Sequence, residues 1–456
     1  MHVVILAAGK GTRMKSAVPK VLHALAGRPL IDHVLRAAQP LGAASTVLVV
    51  GHGADAVKVA LADHPGLEYV IQAPQLGTGH ALLQAEPVLR HREGTVLLLY
   101  GDVPLLQTST LARLLEAHRG TRAAATVMTA RLPDPYGYGR IVRDEEGRLE
   151  RIVEQRDGSA DELAINEINS GIYAFELGPL FDALHTLASD NAQGEYYLTD
   201  LIAAYYRDKR KIETLLLDTA DELRGVNSRV DLADLARVIR ARKNHDVMLA
   251  GATLEDPAST LIDADVTIGA DTIIGPSVRL EGRTTIGERC RIRAGSRITN
   301  GTIGDEVTVL DYCVIVDSAV QNGAHVGPFA HLRPGSSVGE AGQIGNFVEL
   351  KKTSMGRGSK ANHLAYLGDA TIGADVNVGA GTITCNYDGE KKHPTTIGDG
   401  AFIGSDSQLI APVRVGKGAY VAAGSSITSD VPDGALAISR GRQENKAGWA
   451  EKRKKK

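Results

Sequence analysis

Aliphatic residues recur at every sixth position through much of the C-terminal half of the chain. One run on this grid contains Ile268, Ile274, Leu280, Ile286, Ile292 and Ile298, and a second contains Ile397, Ile403, Leu409, Val415, Val421 and Ile427. Neither an α-helix nor a half-buried strand has this period. A hexapeptide repeat is the sequence signature of a parallel β-helix, in which each hexad supplies a short strand and a turn. The pattern therefore predicts a coil from Ile262 to Ile427.

The breaks in this grid are informative as well. The grid slips by one residue after Ile298 and again after Ile315, and a corner of the coil could absorb both slips. The longest break predicts a loop extruded from the coil between Lys351 and Ala370. A second break lies between Val378 and Ile397 and contains the Asn386-Tyr387 pair. Because repeat proteins place functional residues on such loops, both breaks are predicted to carry a site.

The N-terminal half has a different pattern, in which short apolar runs alternate with helical segments. Strands are predicted at Val3 to Leu6, Thr46 to Val50, Tyr69 to Ile71 and Val96 to Tyr100. Helices are predicted at Leu30 to Ala38, Ala54 to Asp63 and Gly79 to Arg90. This alternation predicts an α/β, Rossmann-like domain with a mostly parallel, doubly wound sheet. Ligands of such sheets bind beyond the carboxyl ends of the strands.

A single amphipathic helix is predicted between the two halves. Ser228 to Asp231 has the pattern of a capping box, and Leu232, Leu235 and Ile239 follow on one helical face, with the helix reaching about Leu249. The chain therefore divides into a nucleotide-binding domain at 1–229, a linker helix at 230–250 and a hexapeptide-repeat domain at 251–456.

Composition argues against several classes of protein, including nucleic-acid-binding and membrane-spanning proteins. Charged residues make up 23% of the chain and the formal net charge is −3, which does not favour bulk nucleic-acid binding. The three cysteines, Cys290, Cys313 and Cys385, have neither metal-site nor disulfide spacing, so each is predicted to be a buried or unreactive thiol. No signal peptide or membrane-spanning run is evident, which favours a soluble, cytoplasmic protein without a membrane anchor.

Candidate chemistry begins at the glycine loop that follows the first strand. Gly9 and Gly11 would let backbone N–H groups approach an anion, and Arg13 and Lys20 add positive charge beside them. The loop has neither Walker A spacing nor the third glycine of a dinucleotide-binding fingerprint. A tight strand-to-helix turn is the alternative, but the two cations favour phosphate binding.

Asp102 follows another predicted strand, in the sequence Tyr100-Gly101-Asp102. A carboxylate at this edge of a sheet could hold Mg²⁺ together with substrate phosphates. The alternative is an ordinary N-cap or turn residue. The Gln75 to Gly79 loop offers backbone groups that could bind a base or a sugar, or it could simply begin a helix.

Several motifs together resemble the sugar-1-phosphate nucleotidyltransferases. They are LAAGKGTRM, Pro19-Lys20, QLGTGHA, YGDVP, GYGR and Glu167 to Gly171. With the hexapeptide half attached, nearly the whole chain resembles the bacterial enzymes that combine N-acetylglucosamine-1-phosphate uridyltransferase and glucosamine-1-phosphate acetyltransferase activities.

The resemblance implies roles for residues of the N-terminal half. The UTP or UDP-N-acetylglucosamine site would contain Leu6, Ala7, Ala8, Gly9, Arg13, Lys20, Gln72, Gly77, Thr78, Tyr100, Gly101, Asp102, Gly139, Glu154, Asn169 and Asn227. Within it, Arg13 and Lys20 would bind phosphates, and the sugar would contact Gly139, Glu154 and Asn169. Mg²⁺ would be held by Asp102 and Asn227, a pairing that spacing alone does not reveal.

The resemblance also implies roles in the C-terminal half. His363 would act as the general base of acetyl transfer. The amino-sugar phosphate would bind Arg333, Lys351, Tyr366 and Asn377, and acetyl-CoA would bind Ala380, Asn386, Tyr387, Ser405, Ala423 and Arg440. Enzymes of this type contain left-handed β-helices and form homotrimers, although the repeat spacing itself fixes neither the hand nor the oligomeric state.

The favoured interpretation is a bifunctional enzyme that acetylates glucosamine-1-phosphate and then uridylylates the product, supplying peptidoglycan and lipopolysaccharide synthesis. One alternative is a nucleotidyltransferase for another sugar, with the coil serving only for oligomerisation or regulation. The other is a non-catalytic binding protein. A passive coil would not need His363 or Asn386-Tyr387, and the cations around the glycine loops argue against the second alternative. The basic tail, Lys452 to Lys456, is predicted to be a solvated, disordered end, with Trp449 as a docking residue.

Overall fold

The structure is a computed structural model that describes residues 1–454, so Lys455 and Lys456 of the basic tail lie outside the described residues. The chain separates into two compact units, Met1–Ile239 and Arg240–Lys456. The division falls within one long helix, Arg229–Leu249.

The N-terminal unit contains eleven strands and eight helices, followed by the long helix. The strands are β1 (His2–Ala7), β2 (Ala24–Leu25), β3 (Arg28–Pro29), β4 (Ser45–Val50), β5 (Leu67–Ile71), β6 (Thr95–Tyr100), β7 (Ala125–Arg131), β8 (Arg140–Arg143), β9 (Leu149–Val153), β10 (Glu167–Glu176) and β11 (Ile212–Leu217). The helices are α1 (Leu30–Ala38), α2 (Ala54–Ala60), α3 (Thr78–Leu83), α4 (Glu86–Leu89), α5 (Thr108–Thr121), α6 (Ala160–Leu163), α7 (Leu177–Leu184), α8 (Asp200–Arg207) and α9 (Arg229–Leu249). Short 3₁₀ turns cover Thr12–Met14, Lys20–Leu22, Gln39–Leu41 and Asp221–Leu223.

The main sheet has the strand order β11-β7-β10-β6-β1-β4-β5. All neighbours on this path are parallel except β10, which runs antiparallel to both β6 and β7. Strand β1 is buried on both faces: Val3 and Ile5 pack in one core cluster with residues of α1 and α5, and Val4 and Leu6 pack in another with residues of α3, α7 and α8. This arrangement confirms the predicted doubly wound α/β fold.

The predicted strands of this half are all present and slightly longer than expected. The helix predicted over Leu30–Ala38 is also observed. The helix predicted from Gly79 to Arg90 is wrong as one element, because α3 ends at Leu83 and α4 begins at Glu86. Pro87 explains the interruption, since proline lacks an N–H and its ring clashes with the carbonyl four residues earlier. The helix predicted over 54–63 ends at Ala60.

Helix α9 begins at the capping box predicted from the sequence. The Asp231 backbone N–H donates to Ser228 Oγ at 3.2 Å, and Asp231 Oδ2 accepts from the Ser228 N–H at 2.8 Å. The same carboxylate oxygen accepts from the Asn227 N–H at 2.9 Å. Within the N-terminal unit, Leu235 is buried in a small apolar cluster that includes Met14. The helix start therefore fixes the position of Asn227.

Three parallel sheets form the C-terminal unit, and each is one face of a β-helix. Face 1 contains Thr253–Leu254, Ile273–Ile274, Arg291–Ile292, Thr308–Val309, His325–Val326, Gln343–Asn346, Lys360–His363, Asn377–Val378, Phe402–Ile403, Tyr420–Val421 and Leu436–Ala437. Face 2 contains Leu261–Ile262, Arg279–Glu281, Arg297–Thr299, Val314–Val316, His331–Leu332, Glu349–Lys351, Tyr366–Gly368, Ile383–Cys385, Gln408–Ile410 and Ser426–Ile427. Face 3 contains Thr267–Ile268, Thr285–Ile286, Thr302–Ile303, Ala319–Val320, Ser337–Val338, Ser354–Met355, Ala370–Ile372, Thr395–Ile397 and Val413–Val415.

The six-residue grid marks side chains that point into this coil. Its aliphatic residues are buried along the whole core, apart from Ile268, which is partly buried near the first turns. Coil length varies slightly: Arg279 pairs with Arg297, but Arg297 pairs with Val314, so the second of these coils is shorter by a single residue. The slips seen in the sequence are therefore five-residue steps absorbed within complete coils.

The loop predicted between Lys351 and Ala370 is wrong. Strands on all three faces continue the coil through this segment, and Met355, Ala361 and Leu367 are buried at rung positions. A five-residue step after Leu350 changes the phase, and the rungs that follow are Met355 and then a small alanine. Because of these two features, a search for branched aliphatic residues at every sixth position does not find the repeat here.

The second break is a true insertion. Asn377 on face 1 pairs with Phe402, and Phe402 pairs with Tyr420, so the coil that begins at Asn377 is much longer than the one that follows it. Thr384 occupies the rung position and is fully buried. The extra residues leave the coil between Ile383–Cys385 and Thr395–Ile397, and a bridge between Tyr387 and Lys392 closes this extruded loop.

The described part of the tail forms a short exposed helix, Trp449–Arg453, rather than the disordered end predicted. Arg453 lies over the Trp449 ring at 4.8 Å from its centroid. Cys290 and Cys313 are buried, as predicted, and burial raises the pKa of Cys313 to about 11. None of the helices in residues 1–454 is both long and apolar enough to cross a membrane.

Candidate active sites

A cavity of about 630 Å³ opens beyond the carboxyl ends of β1 and β6. Its walls include the predicted residues Leu6, Ala7, Ala8, Gly9, Lys20, Gln72, Gly77, Thr78, Tyr100, Asp102 and Asn227. Gly11 and Gln75, from the two loops singled out in the sequence, also line it. The remaining wall residues, which sequence reasoning missed, are Lys10, Thr12, Val21, Ala81 and Glu195. The strand ends share one edge because Leu6 pairs with Tyr100 in register, and the Gly101 N–H donates to the Leu6 carbonyl at 3.0 Å.

The glycine loop forms one wall of the cavity and packs against the segment that carries Lys20. Gly11 has φ +60°, and a Cβ atom there would lie 2.7 Å from Lys20 Cβ. A side chain at position 11 would therefore displace Lys20 as well as strain the backbone. Opposite, Gln75 Nε2 donates to the Ala8 carbonyl, and Gln72 Nε2 donates to the Gly77 carbonyl at 2.9 Å. These contacts hold the two loops around one space.

Asp102 and Asn227 come together although they lie far apart in sequence. The Lys20 ammonium forms an ion pair with Asp102 and donates to Asn227 Oδ1 at 3.2 Å. Arg13 Nη2 donates to the same amide oxygen at 2.9 Å. Arg13 itself does not line the cavity, but this contact places its guanidinium at the cavity's edge. The four residues thus form one polar cluster, which we call the Lys20 cluster.

The Lys20 cluster offers a reasonable site for Mg²⁺. In residues 1–454, no group of three or more His, Cys, Asp or Glu side chains is arranged to hold a metal ion. A metal at the Lys20 cluster would have the Asp102 carboxylate and the Asn227 amide oxygen as protein ligands. Hard oxygen donors in that number suit Mg²⁺, which commonly takes its remaining ligands from substrate phosphates and water.

The predicted sugar residues form a second group that does not line the cavity. The Asn169 N–H donates to the Gly139 carbonyl at 2.9 Å, and Thr199 Oγ1 donates to Glu154 Oε1 at 3.1 Å. Tyr100 lies near enough to Glu154 of this group and to Asp102 to feel both charges. Burial raises the pKa of Tyr100, and the neighbouring carboxylates of Glu154 and Asp102 raise it further. Burial likewise raises the pKa of Glu154.

His363 lies at the end of a face 1 strand, at the corner that leads to face 2. Asn346 is its register partner on the preceding coil, and His363 Nδ1 lies 2.8 Å from Asn346 Oδ1. An amide oxygen only accepts hydrogen bonds, so Nδ1 donates to it, and in the neutral imidazole Nε2 then has the free lone pair. His363 is exposed, which leaves Nε2 accessible to a substrate.

The residues predicted to bind the amino sugar lie on faces 1 and 2 around this corner. Arg333 donates to Glu349 at 2.9 Å, and Glu349 is the register partner of Tyr366. Lys351 Nζ donates to Asp369 Oδ2 at 3.2 Å. Asn377 lies on face 1, one coil beyond Lys360 in register.

Asp369 joins the predicted sugar-phosphate and acetyl-CoA residues. Its Oδ2 accepts from Asn386 Nδ2 as well as from Lys351. Burial acts to raise the pKa of Asp369, but these hydrogen bonds outweigh it and lower the pKa. Lys392, on the extruded loop, contacts Lys351, and this contact lowers the pKa of Lys392. Neither Asp369 nor Lys392 was singled out from the sequence. Asp369 lies in the segment whose coil register was misjudged, and the sequence of the extruded loop does not show that Lys392 contacts Lys351.

The other residues predicted to bind acetyl-CoA form a column on successive coils. The Asp406 N–H donates to the Ala380 carbonyl at 2.7 Å, and the Gly424 N–H donates to the Ser405 carbonyl at 2.8 Å. Arg440 Nη1 donates to the Ala423 carbonyl at 2.6 Å. Tyr387, by contrast, lies on the exposed part of the extruded loop. The small side chains of Ala380, Ser405 and Ala423 would leave a shallow groove along the coil that leads to the Arg440 guanidinium.

Comparison with known proteins identifies both halves. Residues 3–163 match the family model for a MobA-like NTP transferase domain, and residues 265–300 and 394–429 match that for bacterial transferase hexapeptide repeats. The chain is 54% identical to the bifunctional protein GlmU of Pelobacter propionicus over 99% of its own length and 98% of that protein's. Identity to the GlmU proteins of Trichlorobacter lovleyi and Streptococcus suis is 53% and 47%, again over at least 97% of each chain. The chain belongs to the GlmU family.

Membership of the GlmU family confirms the main predictions. The chain is a bifunctional enzyme with acetyltransferase and uridyltransferase activities, and its product serves cell-wall synthesis. Its C-terminal unit is a left-handed parallel β-helix of hexapeptide repeats. Neither a passive coil nor a non-catalytic binding protein agrees with this result. A solved structure of UDP-glucose pyrophosphorylase complexed with UDP-glucose aligns with 53% of this chain and with 98% of the pyrophosphorylase chain, at 19% identity. Its TM-score of 0.43 is too low to support an argument about the fold.

Proposed function

We propose that the Lys20 cluster is the uridylyl-transfer centre and that His363 is the general base of acetyl transfer. The C-terminal site would acetylate glucosamine-1-phosphate with acetyl-CoA. The N-terminal site would then join N-acetylglucosamine-1-phosphate to UTP, with Mg²⁺ as its resident metal. The observation that supports the uridylyl-transfer centre is that Asp102 and Asn227 both contact the Lys20 ammonium.

Uridylyl transfer at this centre needs alignment and charge neutralisation rather than a covalent intermediate. A phosphate oxygen of the sugar phosphate would attack the α-phosphorus of UTP, and the bond to the β-phosphate oxygen would break to release pyrophosphate. The glycine-loop N–H groups, Arg13 and Lys20 would stabilise the negative charge that develops. Mg²⁺, when held by Asp102 and Asn227, would neutralise phosphate charge. Gly139, Glu154 and Asn169 would orient the sugar.

Acetyl transfer would use the free Nε2 atom of His363. The glucosamine nitrogen would attack the thioester carbonyl carbon, its proton would pass to Nε2, and the bond to the CoA sulfur would break. Arg333, Lys351 and Lys392 would bind the sugar phosphate, since all three can present cations to it. The column from Ala380 to Arg440, with Asn386 and Tyr387, would bind acetyl-CoA.

We also propose a cytoplasmic homotrimer with the domain bounds 1–229, 230–250 and 251–456. The rings of Tyr312, Phe329 and Phe347 stack along one corner of the coil at centroid distances of 5.5 and 5.3 Å, and each ring is about half exposed. An apolar stack of this kind fits burial against another copy of the chain. Sedimentation of Phe329→Glu, compared with the unchanged protein, tests the trimer.

Separating the two activities tests the assignment. His363→Ala should abolish release of free thiol from acetyl-CoA while pyrophosphate release from UTP and N-acetylglucosamine-1-phosphate stays nearly unchanged. Asp102→Ala should have the opposite effect, with loss of the Mg²⁺-dependent step alone. Far-UV circular dichroism and thermal unfolding, compared with the unchanged protein, show whether each variant is folded. Loss of both activities in a folded variant would contradict two independent sites.

A further inference from the structure

The oxygen atoms assigned to Mg²⁺ already bind cations that belong to the protein. Lys20 pairs with Asp102 and also donates to Asn227 Oδ1, which accepts a second hydrogen bond from Arg13. The Lys20 and Asp102 side chains are only 15% and 16% exposed. An amide oxygen has two lone pairs, so both acceptor positions of Asn227 Oδ1 are taken.

We propose that Lys20 is a competitor built into the metal site, which the nucleotide removes. This inference rests on the proposed function. The ammonium group on Asp102 Oδ2 and Asn227 Oδ1 opposes the binding of a divalent ion to these two side chains, because the like charges repel strongly at that distance. The phosphates of UTP offer Lys20 and Arg13 alternative partners. Once the two cations turn to the phosphates, the carboxylate and the amide oxygen become free for the metal.

This arrangement makes the binding of metal and nucleotide cooperative. The nucleotide raises metal affinity by taking Lys20 away, and thermodynamic linkage requires the metal to raise nucleotide affinity by the same factor. It follows that removing the Lys20 charge should have two effects of opposite sign. Metal binding without nucleotide should strengthen, and nucleotide binding should weaken. A lysine that only bound phosphate would produce the second effect without the first.

The test measures binding of Mn²⁺, as a paramagnetic substitute for Mg²⁺, to the full chain by electron paramagnetic resonance with and without UTP. Lys20→Met removes the charge and keeps a similar shape. Lys10→Met is the matched control, because Lys10 lines the same cavity but does not belong to the Lys20 cluster. Without UTP, Lys20→Met should bind Mn²⁺ at least about tenfold more tightly than the unchanged protein, and Lys10→Met should differ less than about twofold. With UTP, the advantage of Lys20→Met should disappear.

Other variants separate the possible results. Asp102→Ala should abolish UTP-dependent Mn²⁺ binding, and Lys20→Arg, which keeps a cation, should leave nucleotide-free affinity low. If Lys20→Met binds Mn²⁺ no better than the unchanged protein while Asp102→Ala loses its UTP-dependent site, competition by Lys20 is refuted and the metal assignment stands. If UTP-dependent Mn²⁺ binding persists in Asp102→Ala, the metal assignment fails and the inference fails with it. A thermal unfolding transition of the N-terminal unit like that of the unchanged protein shows that each variant is folded.

Discussion

Replacing Asn346 by alanine should slow acetyl transfer without abolishing it. The Asn346 side chain accepts one hydrogen bond, from His363 Nδ1 to Asn346 Oδ1 at 2.8 Å. Within residues 1–454 it forms no hydrogen bond or ion pair with another predicted catalytic group. That bond fixes the tautomer in which Nε2 can accept a proton. Alanine would leave the imidazole free to rotate and to carry its proton on either nitrogen.

The size of the effect follows from the nature of the contact. A neutral hydrogen bond contributes about 0.5–1.5 kcal/mol. If that stabilisation is lost from the transition state, the rate falls by about twofold to thirteenfold. Removal of a general base costs about 10²–10⁴-fold. Asn346→Ala should therefore be clearly less harmful than His363→Ala.

Free-thiol release at saturating glucosamine-1-phosphate and acetyl-CoA measures the effect on kcat. Asn346→Asp is the matched control because it keeps an acceptor oxygen at the same position. Its added carboxylate favours the imidazolium, so the acid limb of kcat/KM against pH should move to higher pH, with activity recovered at alkaline pH. An Asn346→Ala variant with unchanged kcat, or one as impaired as His363→Ala, would refute this account of His363.

Three further substitutions test other parts of the structure. Gly345→Ala would place a Cβ atom 1.9 Å from the Asn362 carbonyl oxygen, so thermal unfolding should occur at lower temperature and acetyl transfer should be lost with it. Glu154→Gln should raise the free energy of unfolding at neutral pH but not at low pH. Burial raises the pKa of the Glu154 carboxyl, so the folded protein loses stability as pH rises through that pKa and the carboxyl ionises. Urea titrations at several pH values measure this difference. Ile315→Ala should destabilise the coil by about 2–5 kcal/mol, whereas Val314→Ala, on the exposed side of the same strand, should change stability by less than about 0.5 kcal/mol in chemical unfolding.

The sequence indicates most of the fold because the periodic signals reflect burial directly. Rungs such as Ile298 and Leu409 are fully buried, and branched aliphatic side chains are easily recognised at sixfold spacing. The signal fails where a five-residue step is followed by Met355 and Ala361. That failure also hides Asn346, because only the correct coil length places it beside His363.

In the N-terminal unit, the sequence does not predict which distant residues meet in the folded chain. The predicted strand ends and glycine loops do surround one cavity. The shared contact of Asp102 and Asn227 with Lys20, however, depends on how the chain returns to the sheet before α9. The only local sign of it is the capping box, since the carboxylate that caps the helix also binds the Asn227 N–H.

The long coil between Asn377 and Phe402 shows that this β-helix tolerates a local change in chain length. Lys360 pairs with Asn377 before it and Phe402 pairs with Tyr420 after it, so the strands on either side keep their register. Each repeat of a solenoid contacts only its neighbours, and doubling the length of a loop costs only about 0.6 kcal/mol in closure entropy. A Cβ atom added at Gly389, at the tip of the extruded loop, would have no heavy atom beyond its chain neighbours within 4 Å. A fluorescent label or short epitope inserted after Gly389 would thus report on ligands reaching Asn386 and Lys392 while leaving the rungs of the coil in place.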